Sequence, residues 1–192
     1  MATATKAGEP YTIDHLVADV NALLKTHLSE YGLIENIGRV MKRAMRNPEL
    51  LTPAQRQGND EHYARHYLYR DPDDRFVVMA LVWAPGQGTP VHDHGTWGVI
   101  GIYENELEAV NFKRLDDSSD EEYADLRETG RMFLTKGALC WVLPPNEEIH
   151  INRNESEHTA ITLHVYGKTI RGFHVFNVPE KTVRWVDLPG IP

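Results

Sequence analysis

The sequence lacks most of the features that mark secreted, membrane-spanning and nucleic-acid-binding proteins. A single cysteine, Cys140, among 192 residues excludes an intrachain disulfide and fits a reducing compartment. No apolar run approaches the roughly 20 residues that a membrane-spanning helix needs, and the first residues lack the apolar centre of a signal peptide. Lysine and arginine total 20 against 28 aspartates and glutamates, so a formal net charge of -8 makes nucleic acid and anionic membranes poor partners. We therefore expect a cytoplasmic protein that binds neither nucleic acid nor a membrane.

The first third of the chain carries helical periodicity. Apolar residues recur at spacings of three and four in two stripes, Ile13 to Leu24 and Ile34 to Ala44. Thr12 or Asp14 can cap the first helix, and Tyr31-Gly32 falls at its end. We interpret residues 1–60 as a helical segment that packs on the rest of one structural unit.

From residue 61 onward the pattern changes to short runs of β type, separated by Gly, Pro, Asn and Asp turns. The predicted strands are His62 to Tyr69, Phe76 to Trp83, Gly95 to Tyr103, Leu107 to Arg114, Met132 to Lys136, Cys140 to Leu143, Glu148 to Arg153, Ala160 to Tyr166, Gly172 to Asn177 and Val183 to Asp187. Many short strands at this spacing indicate a sandwich or barrel over residues 61–192. The acidic segment Asp116 to Glu128 is interpreted as a solvated insertion between strands.

A His-x-His pair, His92 and His94, follows a buried-type apolar run and a Pro/Gly turn. Alternate residues of a strand point to the same face, so the two imidazoles would project together roughly 6 to 7 Å apart. That spacing suits chelation, although such a pair also occurs by chance. Because the run Phe76 to Trp83 precedes it, we expect the pair to begin a strand inside the β structure.

The stretch from Ala160 to Tyr166 alternates between apolar and polar residues. One face carries Ile161, Leu163 and Val165, and the other carries Thr162, His164 and Tyr166. A hydroxyl, an imidazole and a phenol in a row are tolerated in a barrel interior only if they hydrogen-bond one another or serve a site. Both readings, a satisfied polar ladder and a functional face, are compatible with the pattern.

Two segments resemble the paired motifs of the cupin superfamily. Gly86 to His94 resembles the first motif, and Gly137 to Asn154, with His150 on a short strand, resembles the second. This resemblance implies a mainly β fold, a cupin-type double-stranded β-helix (jelly-roll barrel), behind the helical segment. It also implies a metal held by His92, His94 and His150.

The sequence departs from the cupin pattern at the position of a metal ligand. Cupins usually place a glutamate four or five residues after the second histidine, whereas this chain has Gly98 and Val99 there. The second motif also has one extra residue before its histidine. Three neutral imidazoles would leave a divalent ion with its full charge and with open positions, which favours an anionic ligand such as a thiolate or carboxylate.

The region from Glu61 to Phe176 resembles the bacterial thiol dioxygenases related to cysteine dioxygenase, most clearly in the segment HDHGTWGVIG. The resemblance implies Fe(II) as cofactor and a catalytic face of Thr162, His164 and Tyr166, with threonine where the family has serine. Tyr63-Ala64-Arg65 resembles the family's Tyr-x-Arg, which implies that Arg65, beside Tyr63, binds the substrate carboxylate; the alternative is a surface arginine on an edge strand. Arg171 is a candidate for a second carboxylate contact.

The cysteine of the mammalian cysteine–tyrosine cross-link lies just after the His-x-His, where this chain has Gly98 and Val99. We therefore expect no cross-link, and we interpret Cys140 as a buried small hydrophobe.

The resemblance implies an enzyme that oxidises a small thiol carboxylic acid to its sulfinic acid with O2. Cysteine ranks first, and 3-mercaptopropionate and mercaptosuccinate are the alternatives. Two other classes remain open: a cupin enzyme that uses Mn, Ni or Zn on a non-thiol substrate, and a non-catalytic ligand-binding cupin. We expect a monomer or a weak homo-oligomer.

Overall fold

Two helices precede eleven strands in the computed structural model, which describes residues 10–145 and 147–188. The helices are α1 (Ile13–Leu23) and α2 (Glu30–Ala44), followed by a short 3-10 turn, Ala54–Arg56. The strands are β1 (Ala64–Arg70), β2 (Val77–Trp83), β3 (Val91–His92), β4 (Gly98–Glu104), β5 (Glu106–Arg114), β6 (Leu126–Thr135), β7 (Leu139–Val142), β8 (Ile149–Arg153), β9 (Ala160–Tyr166), β10 (Gly172–Asn177) and β11 (Thr182–Asp187). No helix among the described residues is long and apolar enough to cross a membrane.

The strands form two antiparallel sheets. A five-stranded sheet has the order β1-β2-β9-β4-β7, and a six-stranded sheet has the order β11-β10-β3-β8-β5-β6. From β2 to β10 the chain changes sheets at every step except one, since β2, β4, β7 and β9 belong to the first sheet, and β3, β8, β10 and the β5-β6 pair belong to the second. That alternation is the topology of a jelly-roll barrel. The expected mainly β, cupin-type double-stranded β-helix with helices at its N-terminal side is confirmed.

The five-stranded sheet is covered on both faces. Its outer face shares an apolar cluster with the helices, to which β9 contributes Ile161, Leu163 and Val165. Its inner face packs in a second cluster between the sheets. Every residue of β2 is therefore buried, which is why that strand reads as a continuous apolar run rather than an alternating one. The division into residues 1–60 and 61–192 stays a prediction, although both parts contribute to the outer cluster.

The boundary between the helices differs from the sequence prediction. Tyr31 and Gly32 were expected at the end of the first helix, but α1 ends at Leu23 and both residues lie in the first turn of α2. Ser29 is the reason, because its hydroxyl accepts from the Gly32 amide at 3.2 Å and caps the new helix. At the start of α1, Thr12 rather than Asp14 is the cap, in a capping box with His15.

The acidic segment is only partly a solvated insertion. Strand β6 begins at Leu126, so the end of the segment belongs to the six-stranded sheet. Ala124 and Leu126 are buried in a third apolar cluster with Phe176 and Val183. The high charge of the segment led to the prediction that all of it is solvated. Ala124 and Leu126, which lie among its carboxylates in the sequence, are nevertheless buried.

Candidate metal centre

Three buried histidines converge inside the barrel. His92 on β3 lies directly opposite His150 on β8, where the two strands pair. His94 follows in the turn after β3, and its side chain completes the group. One ligand atom from each residue lies within 4.8 Å of the other two, and the ring centroids are 4.7 to 4.9 Å apart. The group could therefore hold one metal ion.

The prediction that His92 and His94 begin a strand together was wrong in part. Strand β3 ends at His92, and His94 lies outside it. The backbone turns there: Asp93 Oδ1 accepts from the His174 amide at 2.8 Å, and Gly95 has a φ of +59°. The two rings are consequently closer than the repeat of an extended strand would place them.

Hydrogen bonds fix the orientation of two of the rings. His92 Nδ1 lies 3.0 Å from the Pro90 carbonyl, and His94 Nδ1 lies 3.2 Å from the Glu148 carbonyl. A carbonyl only accepts, so each Nδ1 carries the proton and each Nε2 keeps its lone pair for a metal. The Glu148 carboxylate also accepts from the amides of His94 and Gly95, at 3.2 and 2.7 Å.

Burial keeps the three imidazoles neutral. It lowers the pKa of His92 to about 4, and it lowers the pKa values of His94 and His150 well below the usual value. Neutral imidazole is the form that binds metals. The group contains no carboxylate from the part of the chain that the structure describes.

A chain of hydrogen bonds on β9 faces the histidines. The Trp83 indole can only donate, and its Nε1–H points at Thr162 Oγ1, 2.9 Å away. Thr162 Oγ1 lies 2.6 Å from His164 Nε2, which is the acceptor for its hydroxyl proton among the described residues. His164 then carries its own proton on Nδ1, which donates to the Tyr166 oxygen at 2.9 Å. The phenolic proton of Tyr166 is therefore left to donate into the cavity.

The titration of this chain agrees with that assignment. Burial lowers the pKa of His164 to about 3 and raises the pKa of Tyr166 far above its usual value. His164 is thus neutral and Tyr166 protonated at neutral pH. The Tyr166 ring lies against His94, with centroids 5.4 Å apart, so its hydroxyl is a donor beside the three histidines.

Gly98 makes room for the tyrosine. It is the β4 partner of Tyr166, and a Cβ at this position would overlap the Tyr166 ring. Any side chain at residue 98 would displace the phenol. Cys140, on the neighbouring β7, is buried in the core between the sheets, and burial raises the pKa of its thiol to about 12.

Arg65 enters the same cavity from β1. Its Nη2 donates to the Tyr63 hydroxyl, and its guanidinium lies over the Tyr63 ring at 4.9 Å. Tyr63 in turn stacks on Trp83, with centroids 4.4 Å apart. The guanidinium is therefore held by aromatic contacts that lead to the β9 chain, and it lines the cavity with His92, His94 and His150.

Arg171 is not brought to this cavity. Its Nη1 forms an ion pair with Asp74 at 2.7 Å, and it is 60% exposed. That pair also explains why the pKa of Asp74 is lowered to about 2. The structure therefore does not support Arg171 as a second carboxylate contact.

Several residues in and around the cavity were not predicted from the sequence. Trp83, Glu148 and Asn152 contact the proposed site residues, and Phe173 packs on His92 at 5.2 Å. A signal existed for Glu148 and Asn152, because they precede and follow His150 by two residues and so share its side of the chain. Trp83 offered none, since its contact with Thr162 joins residues 79 positions apart.

Comparison with known proteins finds similarity to a cysteine dioxygenase and to solved structures described as double-stranded β-helix and cupin proteins. No family model matches the chain. Cysteine dioxygenase type 1 of Danio rerio is 20% identical over 177 residues, which cover 90% of this chain and 83% of that protein. A double-stranded β-helix protein of Klebsiella pneumoniae is 15% identical over 66% of this chain and 90% of that one, with a TM-score of 0.48. A cupin of Desulfovibrio desulfuricans is 18% identical over 58% and 87%, with a TM-score of 0.42.

These TM-scores are low, and the fold assignment rests on the strand order of the chain itself. The similarity to cysteine dioxygenase and the three-histidine group together support a metal-binding cupin enzyme that resembles cysteine dioxygenase.

Proposed function

We propose that this protein is an Fe(II)-dependent thiol dioxygenase that oxidises a small thiol carboxylic acid, with cysteine first among the candidates. The observation that carries the proposal is the content of one cavity: three neutral histidines, grouped with no carboxylate from the described residues, a phenolic donor and a guanidinium. The similarity to cysteine dioxygenase type 1 supports the same reaction.

The donor set fits iron. Imidazole nitrogens suit Fe, Zn, Cu and Ni, and three neutral ligands leave the charge of a divalent ion uncompensated. His92, His94 and His150 would hold the ion, and bound Fe(II) would supply a centre that takes a thiolate and activates O2. The overall reaction is R–SH + O2 → R–SO2H: sulfur loses four electrons, O2 gains them, and both oxygen atoms end in the sulfinic acid.

Arg65 is proposed to orient the substrate. A guanidinium offers parallel donors that match a carboxylate, and Tyr63 and Trp83 hold this one in place before the substrate arrives. With the carboxylate fixed at Arg65 and the thiolate at the histidine end, the reacting sulfur has one position. Such positioning supplies much of the rate gain in reactions of this kind.

Tyr166 is proposed to stabilise negative charge that develops at the reacting sulfur or oxygen. Its hydroxyl keeps its proton and donates a hydrogen bond, because His164 already donates to the phenolic oxygen. Thr162 and Trp83 fix the His164 tautomer that makes this possible.

Oxygen uptake tests the proposal. Purified protein is loaded with Fe(II), and O2 consumption is recorded after addition of cysteine, 3-mercaptopropionate, mercaptosuccinate or cysteamine. Uptake with a thiol carboxylate and formation of the sulfinic acid are expected, with Mn, Ni and Zn forms inactive. If no thiol triggers uptake by the iron form, the proposal fails and a non-thiol cupin reaction or a binding function takes its place.

The ligand set is tested by the His150→Ala variant. Because one of three ligands is lost, we expect iron content to fall to background, measured by elemental analysis after dialysis. His158→Ala is the matched control, since His158 is an exposed residue, and it should keep its iron. Full iron occupancy in His150→Ala would assign the third ligand to another residue.

A further inference from the structure

One polar atom in the cavity has no partner. Asn152 Oδ1 is buried, and within residues 10–145 and 147–188 nothing hydrogen-bonds to it. The residue is only 3% exposed and lines the cavity with the three histidines. A buried acceptor left unpaired is costly, so native structures rarely keep one without a ligand or a water that satisfies it.

The amide is fixed with its oxygen free. The Asn152 backbone is anchored to Thr89, whose amide donates to the Asn152 carbonyl at 2.9 Å and whose Oγ1 accepts from the Asn152 amide at 3.1 Å. The side-chain Nδ2 lies 3.4 Å from His150 Nε2. Nδ2 is therefore the end of the amide that faces the histidine, and Oδ1 is the end that lacks a partner among the described residues.

The candidate substrates differ in what they can offer this oxygen. The thiolate and carboxylate common to all of them are acceptors, and in the proposed function they are already assigned to the metal and to Arg65. Cysteine adds an amino group, which is a donor. 3-Mercaptopropionate adds nothing, and mercaptosuccinate adds a second carboxylate, which is another acceptor.

We infer that Asn152 is a specificity-determining residue whose Oδ1 accepts a hydrogen bond from the substrate amino group, so that the cavity prefers an aminothiol carboxylate. The inference rests on the proposed function. It assigns to Asn152 the discrimination between cysteine and its deamino analogue, while Arg65 binds the carboxylate that both share.

The test measures the equilibrium binding of each thiol to the iron-loaded protein in the absence of O2. Titration calorimetry gives the affinities. The wild-type protein should bind cysteine more tightly than 3-mercaptopropionate. In Asn152→Leu, a substitution of similar shape, cysteine affinity should fall roughly 10-fold or more, the effect of one hydrogen bond to a charged group. The affinity for cysteamine, which has the amino group but no carboxylate, should fall by the same factor. The affinity for 3-mercaptopropionate should be unchanged.

Two further variants complete the design. Asn152→Asp should keep cysteine binding and weaken both deamino ligands, because the added charge attracts an ammonium and repels carboxylates; it carries the test if Asn152→Leu does not fold. Met79→Leu, an apolar change in the wall of the same cavity, should leave the ratio of cysteine to 3-mercaptopropionate affinity unchanged.

The outcomes separate this inference from the proposed function. If no thiol binds the wild-type iron form, the proposed function fails. If the thiols bind and Asn152→Leu leaves their affinity ratio unchanged, the assignment of Asn152 alone is overturned. It is also overturned if mercaptosuccinate suffers the largest loss, or if Asn152→Leu loses its iron.

Discussion

Tyr166 is a hydrogen-bond donor because of the tautomer of His164, which its own neighbours determine. Trp83 can only donate, so Thr162 accepts from it, and His164 Nε2 is the remaining described partner to which the Thr162 hydroxyl donates. His164 then presents Nδ1–H to the phenolic oxygen. At the scale of single residues, the Trp83 indole, which can only donate, sets the direction of the hydrogen bonds that follow.

Replacing the phenol tests this assignment. Tyr166→Phe removes the donor but keeps the ring against His94, so we expect turnover to fall by roughly 10²-fold, the usual effect of losing one preorganised donor. Iron content should be unchanged. The measurement is the rate of O2 uptake per iron.

Tyr69→Phe is the control for this change, since Tyr69 packs in the outer cluster with the helices and its hydroxyl donates to Asp71. Its turnover should stay near that of the wild-type protein. Loss of iron in Tyr166→Phe would contradict the role proposed for the phenol, because the proposed ligands are His92, His94 and His150.

Strand β9 organises the cavity at the scale of elements. It lies between β2 and β4, so its inward side chains are flanked on both sides by apolar strands. Its outward residues complete the core with the helices. One strand therefore supplies both the fold's central contact and the polar face of the site.

The hydroxyl of Thr162 on β9 is expected to contribute more to stability and turnover than its methyl group. In Thr162→Val the buried Trp83 N–H loses its acceptor, which should lower the free energy of unfolding by about 1–3 kcal/mol. His164 Nε2 also loses its donor, so the tautomer that frees the Tyr166 proton is no longer favoured, and turnover should fall roughly 10-fold.

Thr162→Ser keeps the hydroxyl and should retain turnover within about two-fold, at a stability cost of about 1 kcal/mol for the lost methyl. Chemical denaturation and the turnover number measure the two effects. Equal turnover in the valine and serine variants would show that the hydroxyl does not set the tautomer.

The alternation on β9 was enough to predict that strand with its bounds, because its apolar side chains all lie on one face, against the core that it shares with the helices. Strand β3 was mispredicted because it has two residues, too few to carry any periodicity. The donor from Trp83 and the free amide of Asn152 could not be predicted, since they depend on the register of distant strands. The local sequence pattern predicts individual strands, whereas the composition of the cavity depends on which strands become neighbours in the fold.

At the scale of the whole molecule, burial between the sheets holds four histidines in their neutral form: His92, His94, His150 and His164. All four face one another across the barrel rather than solvent. The same burial that prepares a metal site therefore makes the metal-free fold sensitive to acid.

The sign of that sensitivity follows from the pKa values. An unfolded histidine titrates near pH 6.5, whereas burial lowers the pKa of His92 to about 4 and that of His164 to about 3 in the folded protein. Below pH 6.5 the unfolded chain binds protons that the folded protein excludes, so stability is full above that pH and is lost as the pH falls toward 4. Each buried histidine contributes a slope of about 1.4 kcal/mol per pH unit in this range.

Denaturation of the metal-free protein should show a free energy of unfolding that is constant near neutral pH and falls steeply below about pH 6, with a shallower fall in His164→Leu. A free energy that does not change over this range would mean that the histidines are not held neutral.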